Sequence, residues 1–582
     1  MTPITFEHPA WTIEAWRLED VRRAMNELER AVAEGWYAAG FVTYEAAPAF
    51  DAALVTGPPG ELPLLWFGVF SGPSPAATPT GTDPLDTDTP GDPSTWMSNV
   101  TPDEYRAAFD RVRADIAAGE SYQTNYTFRL RTRLDPILLP ALYRQLVAEQ
   151  AAPYSACLDL GRWQVLSLSP ELFFEIRAGV IATRPMKGTA PRGLFREDDE
   201  QQSEALQRSE KNRAENVMIV DLARNDVGRI AEVGSVTASS LFTIERYPSV
   251  FQMVSTVEGR VRADASLTDV FAALFPAGSI TGTPKTSSMR LIAEIERVPR
   301  TLYCGTIGFI EPGGNAVFNV AIRTAVVDRE TGDAEYGVGG GITWDSTPGD
   351  EHAEALSKAG FMSVAPAFEL LETMRIEDGR WIRVDGHLAR MEESAAYFDF
   401  RFNRAAIVTK LAAHADSWSH GVRRGRLVLS RTGQARVESQ ALPRVSAAMR
   451  VVALSTTPVS SRDRFMFHKT TRRQVYDVRR GEHPAVFDVL LRNERGEVTE
   501  FTIGNVVVEL DGVRWTPPRT AGLLAGVFRA ELLDAGTIRE RTLTSADLAR
   551  ATGLWLINSL REWVVVTLKE GSEAADWKEG GS

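Results

Sequence analysis

The sequence predicts an α+β fold divided into two domains. The chain has 582 residues, which is more than one hydrophobic core usually organises. Strand-like and helix-like segments follow one another in irregular blocks, which favours an α+β arrangement over a doubly wound parallel sheet. The pattern restarts near residue 365, so we expect a first domain over residues 1–365 and a second over 366–582.

Hydrophobic periodicity predicts a β-sheet core flanked by helices in the first domain. Segments with a period of two, or short buried apolar runs, are expected to be strands at 62–70, 123–134, 163–169, 172–184 and 316–327. Apolar residues at helical spacing predict helices over 103–120, 203–224 and 284–296. Residues 368–398 of the second domain are expected to form a strand, a turn, a second strand and a helix.

The segment 71–95 differs in composition from its surroundings. It is rich in Pro, Thr, Asp and Gly and offers almost nothing to bury. We therefore expect a mobile surface loop or linker there.

Composition and charge exclude several classes of protein. The formal net charge is −13 and the sequence contains no run of Lys and Arg, so nucleic acid is not an expected partner. A small anionic substrate stays open, because local cations in a cleft can override the global sign. No apolar stretch reaches the roughly 18 residues that cross a bilayer, so we expect a cytoplasmic protein without a membrane partner.

Two acidic segments are candidates for a metal site. Carboxylates lie along the predicted helix 209–230, although such a face taken alone also fits an ordinary solvated surface. In the second segment Glu351 and Glu354 share a helix face. Adjacent carboxylates repel unless a cation lies between them, and oxygen ligands suit Mg²⁺. The preceding glycines 339–341 can offer backbone N–H groups to an anion.

Several long motifs in the first domain resemble the chorismate-utilising enzymes. That family contains anthranilate synthase component I, para-aminobenzoate synthase component I, and the isochorismate and salicylate synthases. The motifs are FVTYEAAPAFD (41–51), AENVMIVDLARND (214–226), GSITGTPK (278–285), YCGTIGF (303–309), FNVAIRT (318–324) and GGGITWDS (339–346).

The resemblance implies a role for each matching position. Glu215, Glu351 and Glu354 would hold Mg²⁺ on the ring carboxylate of chorismate. Arg323 would pair with a substrate carboxylate, with Tyr303 beside it, because the planar guanidinium binds a carboxylate through two hydrogen bonds. The remaining substrate contacts would come from Gly188, Thr189, Gly339, Gly340, Gly341 and Lys358.

Two positions discriminate between members of this family. Gln123 falls where the isochorismate and salicylate synthases carry a lysine that activates water, and an amide cannot act as that base. Lys187 falls where anthranilate synthases usually carry alanine, in a Pro-x-Lys-Gly-Thr pattern similar to that of para-aminobenzoate synthase. Its amine would attack C2 of chorismate and expel the C4 hydroxyl, and ammonia would then enter at C4 and expel the lysine. Gln252 stands where several relatives have histidine, so the group that assists departure of the hydroxyl stays open.

The source of the ammonia is expected to lie outside this chain. A glutaminase needs a nucleophilic cysteine on a tight glycine-rich turn with a histidine partner. The only cysteines, Cys157 and Cys304, do not stand in such a context. We expect a separate glutamine amidotransferase subunit, or free ammonia at high concentration.

Motifs in the second domain resemble the fold-type IV pyridoxal-phosphate enzymes. This group includes aminodeoxychorismate lyase, branched-chain aminotransferase and D-amino-acid aminotransferase, and its dimers make a homodimer an expectation by analogy. The motifs are HLARMEESA (387–395), FMFHKTTRRQVYD (465–477), DVLLRNERGEVTEFTIGNVVVE (488–509) and GLLAGVFRAELL (522–533).

This second resemblance implies a pyridoxal 5′-phosphate site. Lys469 would bond covalently to the cofactor, and Glu500 would pair with the pyridine nitrogen and keep it protonated. Arg390 would hold the phosphate together with backbone N–H groups at a helix N-terminus. Those N–H groups belong to Val527 and Phe528, and the far side would be closed by Asn558 and Ser559. Phe528 replaces a threonine common in the group, so one phosphate contact is expected to be missing.

Together the two resemblances imply a bifunctional enzyme. The first domain would convert chorismate and ammonia to 4-amino-4-deoxychorismate, and the second would remove pyruvate and leave para-aminobenzoate for folate biosynthesis. One alternative is an anthranilate synthase component fused to an unrelated aminotransferase, against which Lys187 argues. Another makes the second domain a non-catalytic docking module, against which the joint presence of Lys469, Glu500 and Arg390 argues.

Overall fold

The chain forms two compact units of mixed helix and sheet. A computed structural model describes residues 3–74, 96–362, 367–415, 420–442 and 450–569, so the expected loop 71–95 lies mostly outside the described residues. One unit comprises Met1–Arg192 and Gln202–Ala365, and the other comprises Gly193–Gln201 and Pro366–Ser582. The short segment 193–201, which the expected boundary near 365 left in the first domain, is thus part of the second unit.

The first unit is rich in antiparallel strands. Its helices are α1 (Leu18–Ala33), α2 (Ala47–Phe50), α3 (Pro102–Ala117), α4 (Leu139–Gln150), α5 (Arg196–Arg208, which begins in the segment assigned to the second unit), α6 (Glu210–Gly228), α7 (Leu267–Leu274), α8 (Lys285–Ile295) and α9 (Pro348–Ser357). Its strands are β1 (Trp11–Ala15), β2 (Tyr37–Val42), β3 (Leu65–Phe70), β4 (Met97–Ser98), β5 (Gln123–Arg133), β6 (Tyr154–Asp159), β7 (Trp163–Ser169), β8 (Leu172–Arg177), β9 (Val180–Arg184), β10 (Met186–Pro191), β11 (Thr237–Arg246), β12 (Val250–Arg260), β13 (Gly282–Thr283), β14 (Thr306–Ile310), β15 (Ala316–Val320), β16 (Thr324–Asp328) and β17 (Asp333–Ile342).

These strands form two sheets within the described residues. The larger has the order β1-β3-β2-β14-β15-β8-β9-β12-β10, with β11 added beside β12. The smaller has the order β13-β5-β17-β16-β7-β6, with β4 beside β5. Side chains from both sheets, among them Phe41, Val165 and Ile307, form one buried cluster, so the sheets pack face to face. Helices α1, α6 and α7 cover the larger sheet, and α3, α4 and α9 cover the smaller one.

The predicted strand over 316–327 is two strands in different sheets. β15 lies in the larger sheet and β16 in the smaller. Arg323 lies between them with φ +51°, a left-handed conformation that a continuous strand cannot contain. Apolar alternation continues across this break, so periodicity alone could not reveal it. The predicted strand over 172–184 is likewise a hairpin, β8 and β9, that turns at Gly179.

The second unit contains two further sheets. Its other helices are α10 (Val384–Phe398), α11 (Arg404–Ala415), α12 (Gln474–Glu482), α13 (Val527–Asp534) and α14 (Ser545–Arg550). Its strands are β18 (Leu370–Glu377), β19 (Arg380–Trp381), β20 (Val422–Leu429), β21 (Ala435–Ala441), β22 (Val451–Leu454), β23 (Asp488–Arg492), β24 (Val498–Phe501), β25 (Gly504–Leu510), β26 (Val513–Thr516), β27 (Arg539–Glu540), β28 (Gly553–Asn558), β29 (Glu562–Val565) and β30 (Thr567–Leu568).

The smaller sheet of the second unit has the order β19-β18-β20-β21 and packs on α10 and α11. The larger one has the order β27-β26-β25-β24-β23-β22-β30 and also pairs β25 with the β28–β29 hairpin. The predicted strand, turn, strand and helix over 368–398 are confirmed as β18, β19 and α10.

The segment 193–201 packs beside the residues that precede Lys469. The hydroxyl of Tyr397 donates to the carbonyl of Gly193 at 2.7 Å, and the rings of Phe195 and Phe467 lie 5.4 Å apart. His468 Nε2 lies 3.2 Å from the carbonyl oxygen of Leu194. Because of these contacts, residues 193–201 belong to the second unit although they are far in sequence from its other residues. Among the described residues no helix is long and apolar enough to cross a membrane.

Candidate functional site

Lys187 lies in an irregular stretch of β10. The pairing of β10 with β12 shifts register between Met186 and Thr189, so the lysine stands in a bulge. Its carbonyl accepts a hydrogen bond from Asn216 Nδ2 at 3.1 Å, and Asn216 Oδ1 in turn accepts from Ser255 Oγ at 2.5 Å. Buried polar contacts from α6 and β12 therefore fix the backbone that carries Lys187.

Gln252 fixes the two residues that follow Lys187. Its Nε2 donates to the carbonyl of Gly188 at 2.9 Å, and its Oε1 accepts from Thr189 Oγ1 at 2.9 Å. Gly188 has φ +94°, which favours glycine at this position. The glutamine that replaces the histidine of some relatives thus has a structural role in holding the bulge.

Strand β17 places the three glycines that are predicted substrate contacts close to Lys187. Gly339, Gly340 and Gly341 lie in β17, paired with β5. A Cβ on Gly341 would lie 2.2 Å from Gln123 Nε2 and 3.0 Å from Lys187 Nζ, so this position has no room for a side chain. The amide of Gln123 is buried and neither of its polar atoms has a hydrogen-bond partner among the described residues. Unpaired buried polar atoms are costly and point to a polar ligand at this place.

The surroundings of Lys187 favour the neutral form of its amine. Burial lowers the pKa of Lys187 below its usual range, while the charges of Glu215 and Glu171 partly oppose that shift. A lowered pKa increases the fraction of neutral amine, which is the nucleophilic form.

Glu171 is a candidate that the sequence interpretation missed. It follows β7 and is 5% exposed, and burial raises its pKa to about 7 while the nearby Lys187 charge acts in the opposite direction. A carboxyl that keeps its proton near neutral pH can act as a general acid. No spacing or periodicity marks this residue, because its role depends on burial beside a lysine 16 positions further along the chain.

Two of the predicted metal ligands, Glu215 and Glu351, lie close enough to Lys187 for their charges to act on its pKa. Glu351 accepts from Ser346 Oγ at 2.7 Å, and burial raises its pKa, with the neighbouring charge of Glu354 adding to the shift. Lys358 Nζ lies 3.2 Å from Glu354 and donates to the carbonyl of Gly339 at 2.6 Å. Within the described residues no group of three or more His, Cys, Asp or Glu side chains is arranged to hold a metal ion.

Arg323 is partly buried and has no carboxylate partner among the described residues. Its guanidinium carbon lies 3.7 Å from the centre of the Phe361 ring, and burial lowers its pKa. No ion pair to Arg323 is found in the part of the chain that the structure describes, which suits a group that pairs with a ligand carboxylate. Tyr303 packs instead against Gly337 and beneath Arg129, whose guanidinium lies 5.1 Å from the ring, so the structure does not place Tyr303 against Arg323.

Lys469 stands between several charged groups of the second unit. Burial lowers its pKa to about 8, the nearby Arg390 adds to that shift, and the carboxylates of Glu372 and Glu500 oppose it. The structure thus brings together the lysine, the arginine and the glutamate that the sequence placed 31 to 110 residues apart.

Glu500 is held by three hydrogen bonds. Tyr476 donates from its hydroxyl at 2.8 Å, the backbone N–H of Leu524 at 3.2 Å, and Asn505 Nδ2 at 3.3 Å. Burial raises the pKa of Glu500 to about 8, so a cation beside it is needed to keep it ionised at neutral pH. A protonated pyridine nitrogen would be such a cation.

Arg390 lies beside the start of α13. Its Nη1 donates to the carbonyl of Ala525 at 2.9 Å, directly before Gly526, which caps a helix that begins with Val527 and Phe528. The predicted phosphate contacts are therefore neighbours in space. Asn558 is engaged in a turn: its Oδ1 accepts from the backbone of Leu560, and Nδ2 donates to the carbonyl of Ile503 at 3.1 Å. Ser559 is buried in the same turn.

The chain belongs to the family of chorismate binding enzymes, which its residues 3–364 match. Residues 369–568 match the family of class IV amino-transferases. These two matches meet between residues 364 and 369 and account for most of the chain.

Curated relatives match a little under half of the chain. An aminodeoxychorismate synthase component 1 from Klebsiella aerogenes is 42% identical over 265 residues, which cover 46% of this chain and 58% of the relative. An anthranilate synthase component 1 from Aquifex aeolicus is 39% identical over 285 residues, which cover 48% of this chain and 56% of the relative. The chain thus spans a little over half the length of these relatives.

A solved structure supports the fold. The anthranilate synthase component I from Streptococcus pneumoniae superposes with a TM-score of 0.53 at 24% identity, covering 62% of this chain and 91% of that chain. At this identity the likeness establishes the fold of the first unit and leaves the reaction to the residues of the site.

Proposed function

We propose that the first unit aminates chorismate at C4 and that the second unit releases pyruvate from the product, giving para-aminobenzoate. The main observation in support of C4 amination is the position of Lys187 beside the glycines predicted to contact the substrate. Its amine lies 3.0 Å from the place that a Cβ on Gly341 would take. Relatives named aminodeoxychorismate synthase support the same reading.

In the first unit Lys187 is the nucleophile. Its neutral amine forms a bond to C2 of chorismate and gives up a proton, both ring double bonds shift by one position, and the C4–O bond breaks. Glu171 donates its proton to the departing hydroxyl, which leaves as water. Ammonia then attacks C4 and loses a proton, both double bonds return, and the C2–N bond breaks as the Lys187 nitrogen takes up a proton. The buried amide of Gln123 has no basic group to activate water, which disfavours hydroxylation at C2.

Arg323 and the magnesium ligands bind the charges of the substrate. Arg323 pairs with one carboxylate of chorismate. Glu215, Glu351 and Glu354 would hold Mg²⁺, which supplies a positive charge for the other carboxylate. The donor set suits this ion because it consists of carboxylate oxygens. Burial and, to a smaller extent, the charge of Glu354 raise the pKa of Glu351, and a bound cation would oppose that shift.

The nitrogen comes from a partner subunit in this proposal. The matching relative from Klebsiella aerogenes is named a component 1, which implies that it acts with another component. A glutamine amidotransferase that supplies ammonia would fill that role, and ammonium at high concentration would replace it in an assay.

The residues of the second unit fit pyridoxal 5′-phosphate. Lys469 offers an amine with a pKa of about 8, and Glu500 offers a buried carboxyl that needs a cation beside it. Arg390 and the first turn of α13 would bind the phosphate. When bound, the pyridinium ring acts as a sink for electrons released at the substrate carbon.

Lys469 also acts as the base in this half of the reaction. Its amine takes the proton from C4 of 4-amino-4-deoxychorismate, and the C3–O bond breaks to release enolpyruvate, which takes up a proton at its CH2 carbon and becomes pyruvate. The ring that remains is aromatic, which drives the step. Glu500 meanwhile keeps its partner nitrogen protonated, and Tyr476 holds Glu500 in place.

Product analysis with chorismate, Mg²⁺ and ammonium tests both proposed reactions, the amination of chorismate and the release of pyruvate. We expect para-aminobenzoate and pyruvate in equal amounts, and loss of chorismate consumption in excess chelator. Anthranilate as the product would instead favour an anthranilate synthase component, and full activity in chelator would remove the magnesium assignment.

A further inference from the structure

A buried carboxylate, Glu372, binds the arginine that we assign to the cofactor phosphate. Glu372 lies in β18, is 1% exposed and faces α10. His387 and Arg390 lie three residues apart on α10 and so share one face of that helix. All three side chains meet inside the second unit.

The contact between Glu372 and Arg390 is bidentate. Arg390 Nε donates to Oε1 at 2.9 Å and Nη2 donates to Oε2 at 2.6 Å. His387 Nδ1 lies 2.7 Å from the same Oε2. Paired planar groups of this kind fix orientation as well as distance.

The charge states agree with this geometry. Arg390 and His387 outweigh the effect of burial and lower the pKa of Glu372 to about 2, so it is an anion at any working pH. Burial lowers the pKa of His387, so its ring is neutral and its Nδ1–H donates to Glu372.

The guanidinium of Arg390 keeps some N–H groups available for a ligand. A guanidinium has five N–H groups. Glu372 takes two and the carbonyl of Ala525 takes a third, which leaves two beside the first turn of α13. Without the carboxylate the long side chain of Arg390 would be free to adopt other rotamers.

We propose that Glu372, supported by His387, is a positioning residue that holds the guanidinium of Arg390 so that its two remaining N–H groups bind the phosphate of the cofactor. The inference rests on the proposed pyridoxal-phosphate site. Glu372 touches neither the phosphate nor the reacting atoms, and its own charge repels the phosphate. Removing the charge of Glu372 therefore separates two possible effects on phosphate binding. If Glu372 acts only through its charge, the phosphate should bind more tightly without it. If Glu372 positions Arg390, the phosphate should bind more weakly without it.

The test compares two ligands on the full-length apoprotein. Pyridoxal 5′-phosphate and pyridoxal differ only in the phosphate, and their equilibrium binding is followed by absorbance and dialysis. For Glu372→Gln we expect about a tenfold or larger loss of affinity for pyridoxal 5′-phosphate, the size of a lost charged hydrogen bond, and almost no change for pyridoxal. Glu372→Asp, which keeps the charge and shortens the reach, should show the same selective loss.

Arg390→Gln should give the same pattern, and the double variant should be no worse than Arg390→Gln, because both changes remove one function. Glu377→Gln is the matched control, since Glu377 lies in the same strand, is 45% exposed and forms an ion pair with Arg375. Equal losses for both ligands, or unchanged or tighter binding of pyridoxal 5′-phosphate, would overturn the positioning role. If the unaltered chain binds neither ligand, the proposed cofactor itself is wrong and the inference falls with it.

Discussion

The two candidate sites differ in how far their polar groups are bonded to one another. In the first unit the amide of Gln123 has no partner and Arg323 has no carboxylate beside it among the described residues. In the second unit Glu500 accepts three hydrogen bonds and Arg390 is held by Glu372. This contrast fits the two proposed ligands. A charged substrate that comes and goes can bind polar groups that have no partner within the protein, as in the first unit. A cofactor that stays bound is better served by side chains whose positions are already fixed by hydrogen bonds, as in the second unit.

The two candidate sites also differ in how their charged groups are balanced. In the first unit burial and the nearby charge of Glu354 raise the pKa of Glu351, and the proposed Mg²⁺ would oppose that shift. In the second unit Arg390 and Glu372 compensate one another within the protein, whereas the raised pKa of Glu500 leaves that group to the proposed cofactor. Variants in the first unit should therefore act on chemistry and substrate binding, and variants in the second on cofactor retention as well.

Lys187→Ala gives the largest expected effect. It removes the proposed nucleophile, which typically costs about 10³–10⁶ in rate, so C4 amination should almost vanish and residual product should be the ortho isomer. Chromatography of the reaction mixture measures this. Pyruvate release from supplied 4-amino-4-deoxychorismate should be unchanged, and Lys211→Ala, at an exposed position of α6, is the control. Para product at the native rate would remove the covalent mechanism.

Glu171→Gln should lower the amination rate by about 10²–10⁴, the usual contribution of a general acid. The pH profile gives a sharper signature. The pKa of Glu171 is raised to about 7, so its acidic form is present below that pH and is lost as the pH rises through it. The high-pH decline of the native rate should disappear in the variant. Glu175→Gln, on the adjacent strand and 37% exposed, should retain the native profile; a variant profile that keeps the decline would reject Glu171 as the acid.

Tyr476→Phe should have the smallest effect. The hydroxyl of Tyr476 stabilises the ionised form of Glu500, so its loss should raise the pKa of Glu500 further above about 8. We expect affinity for pyridoxal 5′-phosphate to fall about three- to tenfold with amination unchanged, because a single hydrogen bond is lost. Dialysis against the cofactor measures the shift, and an unchanged affinity would show that Tyr476 does not support the proposed partner of the pyridine nitrogen.

Much of the fold could be predicted from local pattern. Strands such as β5 and β7 and the helix α8 lie within a few residues of their expected positions, because each has a clear apolar period and its own boundary residues. The break at Arg323 could not be predicted, since its neighbours alternate as in one strand and only the left-handed conformation separates the two sheets. The packing of residues 193–201 with the second unit likewise depends on distant contacts, such as that of Tyr397 with Gly193.

The candidate sites were predictable where residue type and motif coincide. Lys187, Lys469 and Glu500 stand in recognisable motifs, and the assignment of their roles stays a prediction. Glu171, Glu372 and His387 were not singled out. Their properties come from burial and from partners far away in sequence, which no short pattern encodes.

The most direct test of the two-step account is the time course of the full chain with chorismate, Mg²⁺ and ammonium, run beside Lys469→Ala. The native chain should release para-aminobenzoate and pyruvate together. The variant should consume chorismate at nearly the native rate and accumulate 4-amino-4-deoxychorismate, because the altered lysine lies outside the unit to which we assign amination. Lys410→Ala, at an exposed position of α11, should behave as the native chain. Release of para-aminobenzoate and pyruvate by Lys469→Ala at the native rate would contradict the account.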